Sequence, residues 1–171
     1  MNQIIVHRYE SPCGALILGS CGDRLCLCDW PAEPHHKRVR RRLSLLLGAE
    51  FTEGTSAVIA TAEARLDEYF AGERREFDVP LIFAGTEFQK QVWNELLQIP
   101  FSRTTTYGEL ARRIGHPTAV RAIANAVGSN ALSILVPCHR VIGSDGTLTG
   151  YAGGLSAKRH LLALETPLFQ P

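Results

Sequence analysis

The chain has 171 residues, enough for one large domain or two small ones, and its 45% hydrophobic and 20% charged residues are ordinary for a soluble globular protein. No apolar run approaches the ~20 residues that span a bilayer, and the N-terminus lacks a signal-peptide pattern, so we expect neither a membrane span nor secretion. The net charge of +1 is unevenly divided: residues 1–85 carry 10 Lys and Arg against 12 Asp and Glu, and residues 86–171 carry 8 against 5. The basic second half permits a polyanionic partner without requiring one.

Five cysteines, an odd number in a chain without a secretory signal, favour thiols in a reducing compartment. Four of them lie in the first half, near two histidines, and a metal site is one interpretation. Their spacing matches no Cys-x-x-Cys pattern, and alternate cysteines suit the inner face of a strand, so core packing is favoured. The residues concerned are Cys13, Cys21, Cys26, Cys28, His35 and His36.

The first half predicts an antiparallel meander followed by two helices. Short apolar segments separated by turn residues indicate the strands, and apolar residues at helical spacing indicate the helices. A cluster of basic residues on the first helix is interpreted as a solvated face, in preference to a nucleic-acid contact or a targeting signal. The predicted elements are strands 2–9, 15–19 and 24–30, helices 34–47 and 55–70, and a last short strand with a connector within 74–83.

We place a domain boundary after residue 83, because the second half is mainly helical. Thr86 and Gln89 form a capping box that opens a helix to Gln98. Thr106 and Glu109 form another, opening a helix over 107–114. Further helices are predicted over 119–127, capped by Thr118, and over 156–165, ended by Pro167.

The helices 107–114 and 119–127 are separated by a glycine-containing turn, which makes them a helix-turn-helix candidate. The second helix carries alanines, one asparagine and one arginine, whereas helices that read base edges usually carry several long polar side chains. It therefore suits close contact with DNA of any sequence, although such helix pairs often only pack against each other. The candidate DNA contacts are Thr118, Ala119, Arg121, Ala122 and Asn125.

The stretch 134–142 carries the strongest sign of chemistry. An apolar run typical of a strand, Ile134 to Val136, stops at Pro137, so Cys138 is predicted at the edge of a buried layer. His139 and an arginine follow it, and neighbouring cations favour the thiolate form of cysteine. The alternative is an inert buried cysteine, because neighbours on a strand point to opposite faces.

Several motifs then occur together in one order: 107–111 (Tyr-Gly-Glu-Leu-Ala), Arg121, Asn130, 137–141 (Pro-Cys-His-Arg-Val), 151–155 (Tyr-Ala-Gly-Gly-Leu) and 161–165 (Leu-Leu-Ala-Leu-Glu). From about Thr86 to Glu165 the chain thereby resembles the 6-O-methylguanine-DNA methyltransferases. The resemblance implies an α+β fold, with an N-terminal ribonuclease-H-like domain over 1–83. It implies a mostly helical, winged-helix-like domain with the helix-turn-helix over 84–171.

The resemblance also implies roles for individual residues. Cys138 would accept the alkyl group, His139 would take its proton through a bound water, and Glu165 would orient His139. Asn130 would brace the turn before the active-site strand, and Tyr107 would donate to the leaving guanine. Arg121 would replace the base that rotates out of the duplex. The residues expected to line the base pocket are Val141, Tyr151, Ala152 and Gly153.

Two positions depart from the family pattern. Ala152 stands where many members have serine, so a hydroxyl is missing, although the backbone N–H can still donate to the alkylated oxygen. Ser102 stands where glycine is frequent, and we expect only a loop adjustment.

The implied function is direct reversal of DNA alkylation: one alkyl group moves irreversibly from 6-O-alkylguanine to Cys138 after base flipping. The implied partner is alkylated double-stranded DNA, bound with little sequence preference. The protein is expected to act as a monomer without cofactor or metal, in the cytoplasm or, in a eukaryote, in the nucleus. Two alternatives remain. A cysteine hydrolase would use the same thiol, and a lesion sensor would bind without chemistry, although the alkyltransferase-like sensors carry tryptophan at the cysteine position.

Overall fold

A computed structural model describes residues 2–166, and the chain folds as two compact units, Met1–Gly85 and Thr86–Pro171. The predicted boundary after residue 83 differs from this division by two residues. The first unit has a four-stranded sheet with two helices and the second is mostly helical, so the predicted α+β class is confirmed. Within residues 2–166, no helix combines the length and the apolar character that a membrane span requires.

The sheet of the first unit has the order β3-β2-β1-β4. The strands β1 to β3 are antiparallel neighbours, as the predicted meander requires, and β4 pairs in parallel with β1. Helix α2 is capped by Ser56, whose side chain accepts a hydrogen bond from the Ile59 N–H. The elements are β1 Asn2–Ser11, β2 Gly14–Cys21, β3 Arg24–Asp29, α1 His35–Leu47, β4 Ala49–Glu53 and α2 Ala57–Phe70.

One strand of this sheet was missed and another was wrongly placed. The segment β4 follows α1 directly and is mostly exposed, so it lacks the alternating apolar pattern on which strand prediction depends. The strand expected within 74–83 is absent from the described residues, where Leu81 makes only an isolated bridge to Leu25. The fourth position in the sheet is therefore occupied by the segment after α1.

Strand β3 is buried on both faces, which explains two of the cysteines. Cys26 and Cys28 lie in the core, as the core-packing interpretation expects, whereas Cys13 and Cys21 are only half-buried. The next residue, Asp29, is fully buried, and its two carboxylate oxygens contact His35 Nε2 at 3.0 Å and His36 Nδ1 at 2.7 Å. Both histidines lie at the start of α1, and both contact this buried carboxylate of β3.

The second unit contains α3 Glu87–Leu96, β5 Thr105–Thr106, α4 Tyr107–Arg113, α5 Val120–Gly128, β6 Val141–Ile142 and α6 Leu155–Glu165. The capping box of Thr86 and Gln89 is present at the start of α3, as predicted. The two-residue strands β5 and β6 pair in parallel and were not predicted. Pro167, the predicted end of α6, lies outside the described residues.

Helices α4 and α5 form the predicted helix pair, and α5 packs on α3. The Trp93 indole N–H donates to the carbonyl of Ala126 at 2.9 Å, which ties these two helices together. Six residues separate α4 from α5, whereas the predicted helices 107–114 and 119–127 leave four between them. The cap assigned to Thr118 is wrong: the residue before α5 is Ala119, and no side chain caps this end.

The apolar run 134–136 is a buried turn, so the predicted active-site strand is wrong. Ile134 has a φ of 73°, in the left-handed region that β-branched residues rarely adopt. The backbone N–H of Val136 donates to the carbonyl of Leu132 at 2.8 Å, and that of Leu135 donates to Ser133 at 2.9 Å. Periodicity alone cannot separate such a run from a short buried strand.

Candidate active site

Cys138 is the first residue of a short 3₁₀ helix, Cys138–Arg140, that follows Pro137 directly. Its backbone N–H donates to the Val136 carbonyl at 2.8 Å, which closes the turn. The residue is only 8% exposed, yet it lines a cavity. The thiol is therefore buried at the end of an apolar segment and open to a bound molecule, although a tight turn rather than a strand carries it there.

Because of the tight turn, Cys138 lines the cavity whereas His139, the next residue, does not. His139 is fully buried, and its Nε2 donates to Glu165 Oε2 at 2.6 Å. The other ring nitrogen, Nδ1, is also buried and has no hydrogen-bond partner among residues 2–166. An imidazole whose Nε2–H is bound by a carboxylate keeps its lone pair on Nδ1. That nitrogen is the one available as a proton acceptor.

Arg140 completes the cluster, and its contribution was not predicted. Its guanidinium makes a bidentate contact with Glu165: Nε donates to Oε1 at 2.7 Å, and one NH2 group donates to Oε2 at 3.1 Å. A further N–H donates to the Ile99 carbonyl at 2.7 Å. Glu165 is only 3% exposed, so its carboxylate meets the bidentate Arg140 guanidinium in a buried environment.

The charges of this cluster keep Glu165 ionised and His139 neutral. Burial would raise the pKa of Glu165, but the hydrogen bonds from His139 and Arg140, together with the positive charge of Arg140, outweigh it and lower the pKa to about 2. Burial lowers the pKa of His139, and the charges of Arg140 and Lys158 act in the same direction. Glu165 opposes them, yet the complete burial of the ring favours the neutral imidazole. The Glu165 carboxylate thus accepts hydrogen bonds from the His139 ring and from two nitrogens of the Arg140 guanidinium.

The cavity beside Cys138 has a volume of about 350 Å³, within the range of small-molecule sites. Five predicted site residues line it: Tyr107, Asn130, Cys138, Tyr151 and Ala152. The rest of the lining is mostly small, and consists of Ala124, Val127, Gly128, Ser133, Thr149 and Gly150.

Four other residues predicted for the catalytic centre or the base pocket lie outside this lining. His139 and Glu165 are buried away from the lining. Val141 is fully buried in β6, and Gly153 lies in the turn before α6. The pocket thus has the tyrosine and alanine of the 151–155 motif in its wall but neither Val141 nor Gly153.

Asn130 connects α5 to the turn that carries Cys138. Its Nδ2 donates to the Val136 carbonyl at 2.9 Å, and its Oδ1 accepts from the Leu132 N–H at 2.9 Å. Both groups of the amide are used, and the residue is buried. These bonds help to hold the left-handed Ile134, a conformation that costs of order 1–3 kcal/mol when nothing supports it.

Two residues at the site were missed altogether, Lys158 and Thr149. Lys158 is fully buried, and its Nζ donates to the carbonyls of Val141 at 2.6 Å and Thr149 at 2.9 Å. Burial lowers its pKa to about 8, while its interaction with a Cys138 thiolate raises it, so the amine is still mostly charged at neutral pH. Lysine is rarely buried, and only its place three residues after the 151–155 motif could have pointed to this role.

Ser102 departs from glycine at a position that requires an unusual backbone. Its φ is 69°, in the left-handed region that glycine adopts without steric cost. The Ser102 hydroxyl donates to the backbone carbonyl of Glu165, and Thr166 Oγ1 donates back to the Ser102 carbonyl at 3.4 Å. The serine thus ties the loop before Tyr107 to the end of α6 that carries Glu165.

The candidate DNA-binding residues lie on the outer face of the helix pair. Arg121, Ala122 and Asn125 of α5 are exposed, whereas Ile123, Ala126 and Val127 face the core. Thr118 is exposed and Ala119 half-buried in the turn before the helix. Arg121 makes no salt bridge among those found in residues 2–166, so its guanidinium is available for an anion.

Known proteins match both units of the chain. The family described as "6-O-methylguanine DNA methyltransferase, ribonuclease-like domain" matches residues 4–83, and "6-O-methylguanine DNA methyltransferase, DNA binding domain" matches residues 87–167. A methylated-DNA–protein-cysteine methyltransferase of Methanosarcina acetivorans is 57% identical over 157 residues, 92% of this chain and 95% of the relative. The Mycobacterium leprae protein of the same name is 44% identical over 159 residues, 91% of this chain and 88% of the relative.

The structure of Mycobacterium tuberculosis OGT in complex with DNA has a TM-score of 0.80 and 40% sequence identity, over 95% of this chain and 93% of that chain. The resemblance inferred from the motifs is therefore confirmed for both units, including the first, whose sequence carries few motifs. The chain belongs to the 6-O-methylguanine-DNA methyltransferase family.

Proposed function

We propose that the chain is a methylated-DNA–protein-cysteine methyltransferase, which repairs DNA by transferring the alkyl group of 6-O-alkylguanine to its own Cys138. The observation that carries the proposal is the buried Cys138 on the wall of a small cavity, directly before a buried His139–Glu165 pair. The relatives named for this activity match nearly the whole chain. DNA is the partner, as it is for the M. tuberculosis protein.

Activation of the thiol is the first requirement of the reaction. An ordinary thiol of pKa ~8.5 is only about 3% thiolate at pH 7, and a methyl group on a guanine oxygen is a poor electrophile. The neutral His139 can accept the thiol proton at Nδ1 through a water, while Glu165 stabilises the resulting imidazolium. The cation of Lys158 favours the thiolate as well.

The leaving group is the second requirement. As sulfur bonds to the alkyl carbon, the C–O bond breaks and its electrons pass to the guanine. Tyr107 lies in the wall of the same cavity as Cys138, where its phenol can donate a hydrogen bond to the guanine as charge develops. The backbone N–H of Ala152, another wall residue, is a second donor for the alkylated oxygen.

The reacting carbon of the substrate lies inside a duplex, so the base must first rotate out of the stack. The exposed face of α5 has small alanine side chains that allow close approach to DNA, and its Arg121 projects from the first turn. We propose that Arg121 fills the space left by the flipped base and offsets part of the unstacking cost. The small, mostly apolar face supports binding with little sequence preference.

The product makes the reaction a single turnover. An S-alkyl thioether has no electrophilic carbonyl for water to attack, unlike the thioester of a cysteine hydrolase, so Cys138 stays alkylated. The chain would act as a monomer without cofactor, and would meet its substrate in the cytoplasm of an archaeal or bacterial cell or in the nucleus of a eukaryote. A lesion sensor without chemistry would have no use for the Cys138 thiol.

The stoichiometry of transfer tests the proposal. A duplex carrying radioactive 6-O-methylguanine is mixed in excess with the protein, and protein-bound label is counted over time. The label should reach a plateau at one methyl group per protein, and Cys138→Ser should acquire none. Absence of label, or hydrolysis of simple esters with repeated turnover, would contradict the proposal.

Base flipping has a separate test in Arg121→Ala. Repair of duplex DNA should slow about tenfold or more, whereas reaction with free 6-O-methylguanine base should change by less than about twofold, because only the duplex must be unstacked. Asn125→Ala on the same exposed face is the matched control for loss of a surface contact. Equal losses on both substrates would mean that Arg121 acts in the pocket or in the fold.

A further inference from the structure

The phenol of Tyr107 has one hydrogen-bond partner in the wall of the cavity. Its Oη lies 3.0 Å from Thr149 Oγ1, 42 residues away in the sequence, and either hydroxyl can be the donor. Both residues line the cavity that contains Cys138. The tertiary fold therefore brings these two hydroxyls together, at the place where the leaving group of the proposed reaction would lie.

Thr149 is itself fixed from behind. It belongs to the segment between β6 and α6, which contains no helix or strand, and the Nζ of Lys158 donates to its carbonyl at 2.9 Å. The same Nζ donates to the Val141 carbonyl at 2.6 Å, so a buried amine ties Thr149 to β6. Burying a lysine is costly unless such bonds compensate, and here they hold the backbone of one pocket residue.

We infer that Thr149 is a positioning residue for the proposed alkyl transfer: its hydroxyl orients the Tyr107 phenol and donates to the phenol oxygen when that phenol donates to the departing guanine. This inference rests on the proposed function.

The chemistry follows from the two-way character of a hydroxyl group. Without substrate the Thr149 hydroxyl can accept a hydrogen bond from the Tyr107 phenol. With the guanine base bound, the hydroxyl can rotate and donate a hydrogen bond instead. A hydrogen bond received by the phenol oxygen strengthens the one that the phenol gives. In the balanced reaction, sulfur gains the alkyl group, the C–O electron pair stays on guanine, the thiol proton leaves through His139, and guanine takes up one proton in its place.

A set of variants at the two positions tests this assignment. Thr149→Val keeps the shape of the side chain but removes the hydroxyl, and Thr149→Ser keeps the hydroxyl but removes the methyl group. Each change is made in the wild type and in Tyr107→Phe, giving a double-mutant cycle. The measurements are the single-turnover rate of methyl transfer from duplex DNA, the Kd for undamaged duplex, and the melting temperature.

Thr149→Val should slow transfer about three- to tenfold, the size expected for one lost hydrogen bond, with the Kd for undamaged DNA unchanged. Thr149→Ser should restore the rate to within about twofold of the wild type. In the Tyr107→Phe background, Thr149→Val should change the rate by less than about twofold, because the phenol that it positions is gone.

Two results would overturn the inference. One is an equal loss from Thr149→Val with and without the Tyr107 hydroxyl, which would assign the effect to packing. The other is a Thr149→Val rate equal to the wild type. Failure of the proposed function would look different, since the wild type itself would then leave Cys138 unlabelled.

Discussion

Each unit of the molecule buries one carboxylate against histidine, and only one of the two clusters adjoins a thiol in a cavity. In the first unit Asp29 contacts His35 and His36 with its two oxygens. In the second unit Glu165 contacts His139 and Arg140. Both carboxylates are buried, and both have a pKa below the usual range despite the opposing effect of burial.

The difference lies in what surrounds the imidazoles. His36 also lines a cleft, of about 830 Å³, but the described lining of that cleft contains no cysteine. His139 follows Cys138 directly and has a buried Nδ1 without a partner among the described residues. A buried carboxylate–histidine pair is therefore not evidence of catalysis in itself. A nucleophile and a cavity must adjoin the free ring nitrogen.

The same isosteric change at the two carboxylates tests this contrast most strongly. Glu165→Gln should slow methyl transfer about 100-fold or more, because the imidazolium formed at His139 loses its stabilising charge. Asp29→Asn should leave the transfer rate within about twofold of the wild type. Single-turnover rates at pH 7, with the Kd for undamaged DNA as a check on folding, give the comparison.

Similar transfer rates for the Glu165→Gln and wild-type proteins would remove Glu165 from the mechanism. A large loss in Asp29→Asn with normal folding would mean that the two clusters are not functionally distinct.

Acid stability should also depend on Glu165. Its folded pKa, about 2, lies below the ordinary value of 4.5, so its stabilising effect is complete above about pH 4.5 and is lost as the pH falls toward 2. Between pH 6 and pH 3 the wild type should therefore lose roughly 2 kcal/mol more free energy of unfolding than Glu165→Gln.

The two tryptophans allow the units to be followed separately in this experiment. Trp30 lies in the first unit and Trp93 in the second, and both are buried. In a Trp30→Phe background, the fluorescence of Trp93 reports denaturant unfolding of the second unit alone. Identical pH profiles for the wild-type and Glu165→Gln proteins in that background would show that the carboxylate does not stabilise the fold through its ionised form.

The sequence predicted the residues of the site better than it predicted the residues that hold them in place by hydrogen bonds. Cys138, His139 and Glu165 stand in motifs whose spacing is specific, and the fold brings the last two together. Lys158 and Thr149 could not be predicted in this way, because their bonds run to backbone carbonyls or to a residue 42 positions away. Such partners are defined only by tertiary structure.

The fold shows a similar division. The capping box at Thr86 and the meander were correct, because caps and hairpin turns are local in sequence. The strand β4 is mostly exposed, with three polar residues among its five, and depends on its pairing with β1. The run beginning at Ile134 has a strand-like composition, but the side chain of Asn130 bonds Leu132 and Val136 and favours a turn there.

Alkylation of Cys138 should also lower the stability of the protein, and the effect should be confined to the second unit. A methyl group added to the sulfur of the buried Cys138 crowds a close-packed turn, at a cost of roughly 1–3 kcal/mol. It also removes the thiolate that Lys158 and the His139–Glu165 pair would stabilise. In the Trp30→Phe background, the methylated protein freed of DNA should unfold at lower denaturant concentration than the unmodified protein.

Mock-treated protein and the Cys138→Ser variant, which cannot be methylated, serve as controls. Equal or higher stability of the methylated form would show that the pocket accepts the product without strain.

The identity of the methylated residue tests the central claim most directly. The wild-type protein is incubated with duplex DNA containing 6-O-methylguanine, its intact mass is measured, and its peptides are mapped by tandem mass spectrometry. The account predicts one added methyl group per protein, on Cys138 and on none of Cys13, Cys21, Cys26 or Cys28. A methyl group on another cysteine, or repaired DNA with an unmodified protein, would contradict it.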